Sequence, residues 1–118
     1  MIYDTLDALA RYDHLFELTE PVFETIRPEP FDGIFAAHSL WATVFLVREG
    51  EVLLCSTHAR QPGTLVRDIN GFVSLESSGI TSTVRVDSRH FVFFSPYEPY
   101  ALVAKREALV ARLLVEVR

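Results

Sequence analysis

The chain has 118 residues, enough for one domain with a sizeable core, and it is 49% hydrophobic and 12% aromatic, which excludes global disorder. Its net charge of −5, with Lys105 as the sole lysine and no basic cluster, argues against a nucleic-acid partner. One cysteine, Cys55, rules out an internal disulfide and fits a reducing compartment, and no apolar run reaches the roughly 20 residues that cross a bilayer.

Asp4 to Tyr12 reads as a short helix, with Asp4 as its cap and Leu6, Leu9 and Ala10 on one face. The acidic opening lacks the basic and apolar regions of a signal peptide, so a cytoplasmic location is expected. A second short helix is expected from Thr19-Glu20-Pro21, with Val22, Phe23 and Ile26 as its apolar face. Pro28 and Pro30 end it, and Phe31-Asp32-Gly33 turns the chain.

The remainder reads as β-structure. Ala37 to Val47 is apolar and β-prone, Arg48-Glu49-Gly50 signals a hairpin, and Glu51 to Thr57 reads as its partner strand. Thr64 to Arg67 and Phe72 to Leu75 flank Asn70-Gly71, a second hairpin signal, and Ser77-Ser78-Gly79 turns again. Ile80 to Val86 alternates with a period of two. Asp87-Ser88-Arg89 leads into the apolar run Phe91 to Phe94, which reads as a strand buried on both faces. That strand delivers the loop Ser95-Pro-Tyr-Glu-Pro-Tyr100, which is stiffened by two prolines and carries one carboxylate and two phenols. Val110 to Val117 alternates, setting Ala111, Leu113 and Val115 against Arg112, Leu114 and Glu116. Being long and charged on one side, this strand either seals a sheet edge or pairs with a second copy as a homodimer. Short strands at this spacing predict a sandwich or barrel.

Candidate chemistry is sparse. No His-x-His or His-x-x-x-His pair exists, and Cys55-x-x-His58 supplies only two potential metal ligands. His38, at the start of the first long strand, is the best functional histidine; His14 reads as a surface residue. Glu51 reads as a hairpin-flanking charge, and Glu98, held between prolines, serves equally as a general base or as a structural corner. No phosphate loop and no nucleophile elbow is present.

Several segments resemble one family. Met1-Ile-Tyr-Asp-Thr-Leu-Asp-Ala-Leu-Ala-Arg-Tyr12 and Ala111-Arg-Leu-Leu-Val-Glu-Val117 are similar to the opening and closing segments of the YhcH/YjgK/YiaL family. Ala36-Ala-His-Ser-Leu-Trp-Ala-Thr-Val-Phe45 stands where that family has Glu-Ala-His-x-x-Tyr-x-Asp-x-Gln. Val47-Arg-Glu-Gly-Glu-Val52 resembles its Gly-x-Glu hairpin, and Phe94 to Tyr100 resembles its Phe-Phe-Pro-Gly-Asp-x-His loop. The resemblance implies a mainly β, cupin-like double-stranded β-helix, or jelly-roll barrel, behind two short N-terminal helices. It implies sugar anomerisation or sugar binding, with a metal inside the barrel.

The chain departs from that pattern at Ala36, Thr43, Phe45 and Tyr100, where the family has Glu, Asp, Gln and His. One imidazole and one carboxylate are an incomplete set for a divalent metal, so no cofactor is expected. The resemblance assigns His38 and Glu98 as acid and base, with Arg112 holding an anionic group on the substrate. Trp41, Glu51 and Tyr100 would contact a small-molecule ligand such as a sugar. The alternative is a non-catalytic accessory or dimerisation barrel that has lost the metal site.

Overall fold

The computed structural model describes residues 1–57, 64–76 and 79–118, and at 64–69 the backbone alone. The expected Ser77-Ser78 turn and His58 lie outside the described residues. The protein is mainly β, with eleven strands among the described residues, arranged in two antiparallel sheets. Strands β1 (Ile2–Thr5), β2 (Glu24–Ile26), β4 (Ala42–Glu49), β9 (His90–Phe94) and β11 (Ala108–Val115) form a five-stranded sheet in the order β1-β9-β4-β11-β2. The six-stranded sheet contains β3 (Ile34–His38), β5 (Val52–Ser56), β6 (Thr64–Ile69), β7 (Phe72–Glu76), β8 (Ser82–Val86) and β10 (Tyr100–Val103), in the order β6-β7-β3-β10-β5-β8.

The pairings share one pattern. Ala36 pairs with Tyr100, Thr43 with Phe94, and Val52 with Val86. The segment 34–56 therefore runs antiparallel to the segment 82–103 along its whole length, while each segment steps from one sheet to the other. Gly50, at φ +79°, makes the turn after β4, as its sequence signal predicts. The turn is not a hairpin, however. β4 pairs with β9 and β11, whereas β5 pairs with β8 and β10, so the chain crosses between sheets at Gly50. The signal at Asn70-Gly71 does mark a hairpin: φ is +53° and +85° at its two central residues, and β6 pairs with β7.

Three apolar clusters follow from strand alternation. Between the sheets lie Phe45, Val47, Val92, Phe94 and Val110 from one sheet, and Val52, Leu54, Val86 and Tyr100 from the other. The outer face of the five-stranded sheet presents Val44, Leu46, Phe91, Phe93, Ala111 and Leu113. Phe35, Ala37, Cys55, Val73, Leu75 and Ala101 form the third cluster on the six-stranded sheet. The run Phe91–Phe94 thus sends Phe91 and Phe93 to one cluster and Val92 and Phe94 to another, with all four buried.

The N-terminal segment covers the second cluster, and here the sequence reading needs correcting. Leu6–Tyr12 is a 3-10 helix, and Asp4 belongs to β1 rather than capping the helix. Leu6, Leu9, Tyr12 and Leu15 recur every three residues and all pack on that cluster. A three-residue period keeps its apolar stripe straight only on a 3-10 helix. Asp4 instead accepts hydrogen bonds from the Tyr12 hydroxyl at 2.6 Å and the Thr5 N–H at 2.7 Å, which hold its carboxyl below the usual range.

The second expected helix is absent. Glu24–Ile26 is strand β2, paired with Ala108–Val110 of β11. Phe23 turns toward the outer cluster, where the Arg48 guanidinium lies 4.4 Å from its ring centroid. Val22, Glu24 and Ile26 alternate toward the other side. Pairing along an open sheet edge satisfies more backbone groups than one proline-bounded helical turn does. As a result β11 lies inside its sheet, between β4 and β2, and is not the edge strand its sequence suggested.

Phe94 is fully buried, with Tyr100 stacked at 5.1 Å and Phe45 edge-on at 6.1 Å. Phe94→Ala is expected to lower unfolding stability by ~3–5 kcal/mol in urea titrations, while Val22→Ala at an exposed site is expected to stay within ~0.5 kcal/mol.

Candidate functional site

One end of the molecule gathers three loops around His38. The His38 side chain is 7% exposed. Its Nδ1 accepts the backbone N–H of Leu40 at 3.1 Å and of Trp41 at 3.0 Å. An imidazole nitrogen that accepts carries no proton, so the neutral ring bears its hydrogen on Nε2. The His38 carbonyl accepts the Tyr97 N–H at 2.7 Å, and the Ser39 N–H donates to the Gly71 carbonyl at 2.8 Å. Tyr97 holds φ at +65° in this loop, a left-handed conformation kept in place by that contact.

The ring is also enclosed by aromatic groups. Phe72, its cross-strand partner, stands edge-on at 4.8 Å, and Trp41 is tilted at 6.4 Å. Gly71 packs so closely that a Cβ there would come within 2.8 Å of His38 Cε1. Leu40, Trp41, Phe72 and Tyr97 remain substantially exposed, which gives this end an apolar rim.

Arg112 adds the charge. It lies on the inward-facing row of β11, opposite Phe45, and its Cζ sits 5.7 Å from the Phe72 ring centroid. Among the described residues no carboxylate lies within ion-pair distance of Arg112. It borders a cavity of about 410 Å³ between the sheets, together with Glu24, Phe45, Tyr100, Leu102 and Val110. Tyr100 is largely buried, with Phe45 edge-on at 5.0 Å and Phe94 stacked behind it.

The remaining expected site residues lie apart. Glu98 takes the Ser95 N–H on Oε1 at 2.9 Å and the Met1 amine on Oε2 at 2.6 Å. It is the corner of its loop, and His38 Nδ1 is committed elsewhere. The two side chains have separate partners and do not pair as acid and base. Glu51 lies after the Gly50 turn, in a different cavity of about 590 Å³ with Arg85, Lys105 and Arg106. That turn closes the far end of β4, whose eight residues span roughly 25 Å. The structure therefore brings His38, Trp41, Tyr100 and Arg112 to one end of the molecule and leaves Glu51 at the other.

A metal finds little here. Among the described residues no three His, Cys, Asp or Glu side chains converge. Nδ1 of His38 is already occupied, and its inward neighbours on β3, β4 and β10 are Ala36, Phe45 and Tyr100. This donor set does not fit a divalent ion.

Sequence reading missed Phe72, Gly71 and Glu24. The Asn70-Gly71 turn was visible, but its approach to His38 depends on the β3–β7 pairing. Glu24 was hidden by the helical reading of its segment. No protein-family model matches the chain, and no curated protein matches it in sequence. No helix among the described residues is long and apolar enough to cross a membrane.

Two outcomes test these local accounts. Gly71→Ala puts a side chain at φ +85° against the His38 ring, and it is expected to cost ~1–3 kcal/mol in denaturant titration. Farther along, Asp87 accepts from the His90 ring at 2.8 Å and from the Arg89 N–H at 2.9 Å, which hold its carboxyl down to about 2. A lowered native value stabilises the fold fully above the unfolded carboxylate value of about 3.9. That contribution is lost as pH falls through about 2. Urea midpoints measured between those limits are expected to fall more steeply for the wild type than for Asp87→Asn.

Proposed function

We propose that this domain is a cupin-like double-stranded β-helix that binds small acidic sugars, or closely similar ring-bearing carboxylates, and acts as a binder rather than an enzyme. The observation that carries this reading is the unpaired Arg112 guanidinium at an aromatic-lined cavity between the sheets. Ligand sites of this kind combine apolar walls with a few oriented polar groups. A guanidinium suits a carboxylate because its fork matches two oxygens, and the faces of Phe72 and Trp41 suit the C–H face of a sugar ring.

The jelly-roll reading draws its support from the pairing pattern. A long two-stranded ribbon, 34–56 against 82–103, that steps repeatedly between two sheets is what winding a double-stranded β-helix requires. The β6–β7 hairpin extends the six-stranded sheet beyond β3.

Binding is favoured over turnover because the acid–base pair is not assembled. His38 spends Nδ1 on two backbone N–H groups, and Glu98 spends both oxygens on Ser95 and the Met1 amine. General acid–base chemistry needs both groups within reach of one substrate.

Saturation-transfer NMR against sialic, glucuronic and galacturonic acids, with glucose as the neutral control, tests the reading. Transfer to the acids and weak or no transfer to glucose is the expected result. Arg112→Met is expected to weaken acid binding about 10- to 100-fold, the equivalent of one charge-assisted contact of ~1.5–3 kcal/mol. The wild type is expected to leave the rate of anomer interconversion unchanged. A flat response to all three acids would remove the sugar-acid reading.

A further inference from the structure

The geometry points to His38 as a proton-sensitive latch on the binding end: the turn that presents Trp41 closes only on the unprotonated ring. The turn 39–41 is held at its centre by two N–H groups donating to one atom, Nδ1 of a largely buried imidazole. A proton on Nδ1 converts that acceptor into a donor and faces it with two donors. Both hydrogen bonds are then lost together, and a charge is left in an apolar surround.

Among the described groups that face the ring there is no free carboxylate to pair with such a charge. Trp41 and Leu40 on its own loop are uncharged. Phe72 and Gly71, from the β6–β7 hairpin, are apolar. Behind Phe72 stands Arg112, a second cation. From the β9–β10 loop Tyr97 contributes a backbone N–H, while the nearby Glu98 is already neutralised by the Met1 amine. Protons therefore compete with closure, and the open population grows as pH falls.

The consequence for ligands deepens the sugar-acid reading and rests on it. Phe72 meets both the His38 ring and the Arg112 guanidinium, so opening the turn loosens the wall beside the carboxylate anchor. Affinity is then expected to decline on acidification even though the ligand stays ionised. His38 is a positioning residue in this account, acting through the 39–41 turn and Phe72.

The latch itself is tested on the free protein, so failure of sugar-acid binding leaves the test intact. Trp41 is the sole tryptophan, and its emission reports the turn directly. Between pH 7.5 and 5 the wild-type emission is expected to shift reversibly to longer wavelength while far-UV circular dichroism stays constant. His38→Asn places an amide oxygen where Nδ1 lies and takes up no proton in this range. It is expected to keep the pH 7.5 spectrum and show no titration. A flat wild-type titration, the same titration in His38→Asn, or a shift that coincides with loss of the β signal would each overturn the latch. Should the variant fail to fold, long-range proton–nitrogen NMR on the wild type decides. A proton on Nε2 at pH 7.5, with Leu40 and Trp41 amide exchange accelerating at lower pH, supports the latch; a proton on Nδ1 at pH 7.5 overturns it.

Discussion

Everything in this molecule depends on the antiparallel pairing of two distant segments, 34–56 and 82–103. Their register is fixed by pairs as far apart as Ala36–Tyr100 and Val52–Val86. Strand register is specified where the two faces of a strand differ, because a one-residue slip exchanges them. The aromatic run Phe91–Phe94 cannot provide that difference, since both of its faces are apolar. The information lies in β8 and β11. A slip in β8 would expose Val84 and Val86 and turn Arg85 inward, and a slip in β11 would turn Arg112 out of the cavity. The same alternation that sets the register thus also places the charge of the proposed site.

A sheet buried on both faces needs a cover. Val44, Leu46, Phe91, Phe93, Ala111, Leu113 and Val115 all point away from the inter-sheet core, and on a bare sheet they would form a large exposed apolar patch. The segment from Leu6 to Phe23 supplies the cover through Leu6, Leu9, Tyr12, Leu15, Phe16, Leu18 and Phe23. Phe16 stacks on Phe93 at 4.9 Å, and Tyr12 meets Phe91 edge-on at 5.5 Å. This segment is therefore part of the hydrophobic core and not an appendage to it. Its three-residue apolar spacing explains the choice of a 3-10 helix over an α-helix.

Local signals carried the β class, the Asn70-Gly71 hairpin, the doubly buried Phe91 strand and the alternation of β11. Each is a property of neighbouring residues. Pairing is not, and the errors lie there. Gly50 was rightly read as a turn and wrongly as a hairpin, because a turn signal does not say whether the returning strand joins the same sheet. Val22, Phe23 and Ile26 fit a helical stripe as well as an alternating strand, and the open edge of β11 decided between them. At the site, Arg112 and Tyr100 were candidates only through the family resemblance, since alternation alone set Arg112 on the charged side of its strand and Tyr100 read as part of a loop. The commitment of His38 to the Leu40 and Trp41 amides was not, since it requires the break in the strand at 39–41. Glu98 was read equally as base or corner, and its side chain accepts from the Met1 amine and the Ser95 N–H.

The contrast between His38 and Arg112 then separates building from binding. A polar side chain in an apolar interior must have its hydrogen-bonding capacity met, or it costs stability. His38 meets it inward, with backbone amides of its own turn, and so becomes part of the frame. Arg112 has no carboxylate within ion-pair distance among the described residues, and the face of Phe72 lies beside it at the cavity edge. An inter-sheet face that has apolar residues at Ala36 and Phe45 is poorly equipped to hold a metal, and in the proposed reading the same lining makes Arg112 a more selective anchor. The apolar lining that weakens the case for chemistry strengthens the case for recognition.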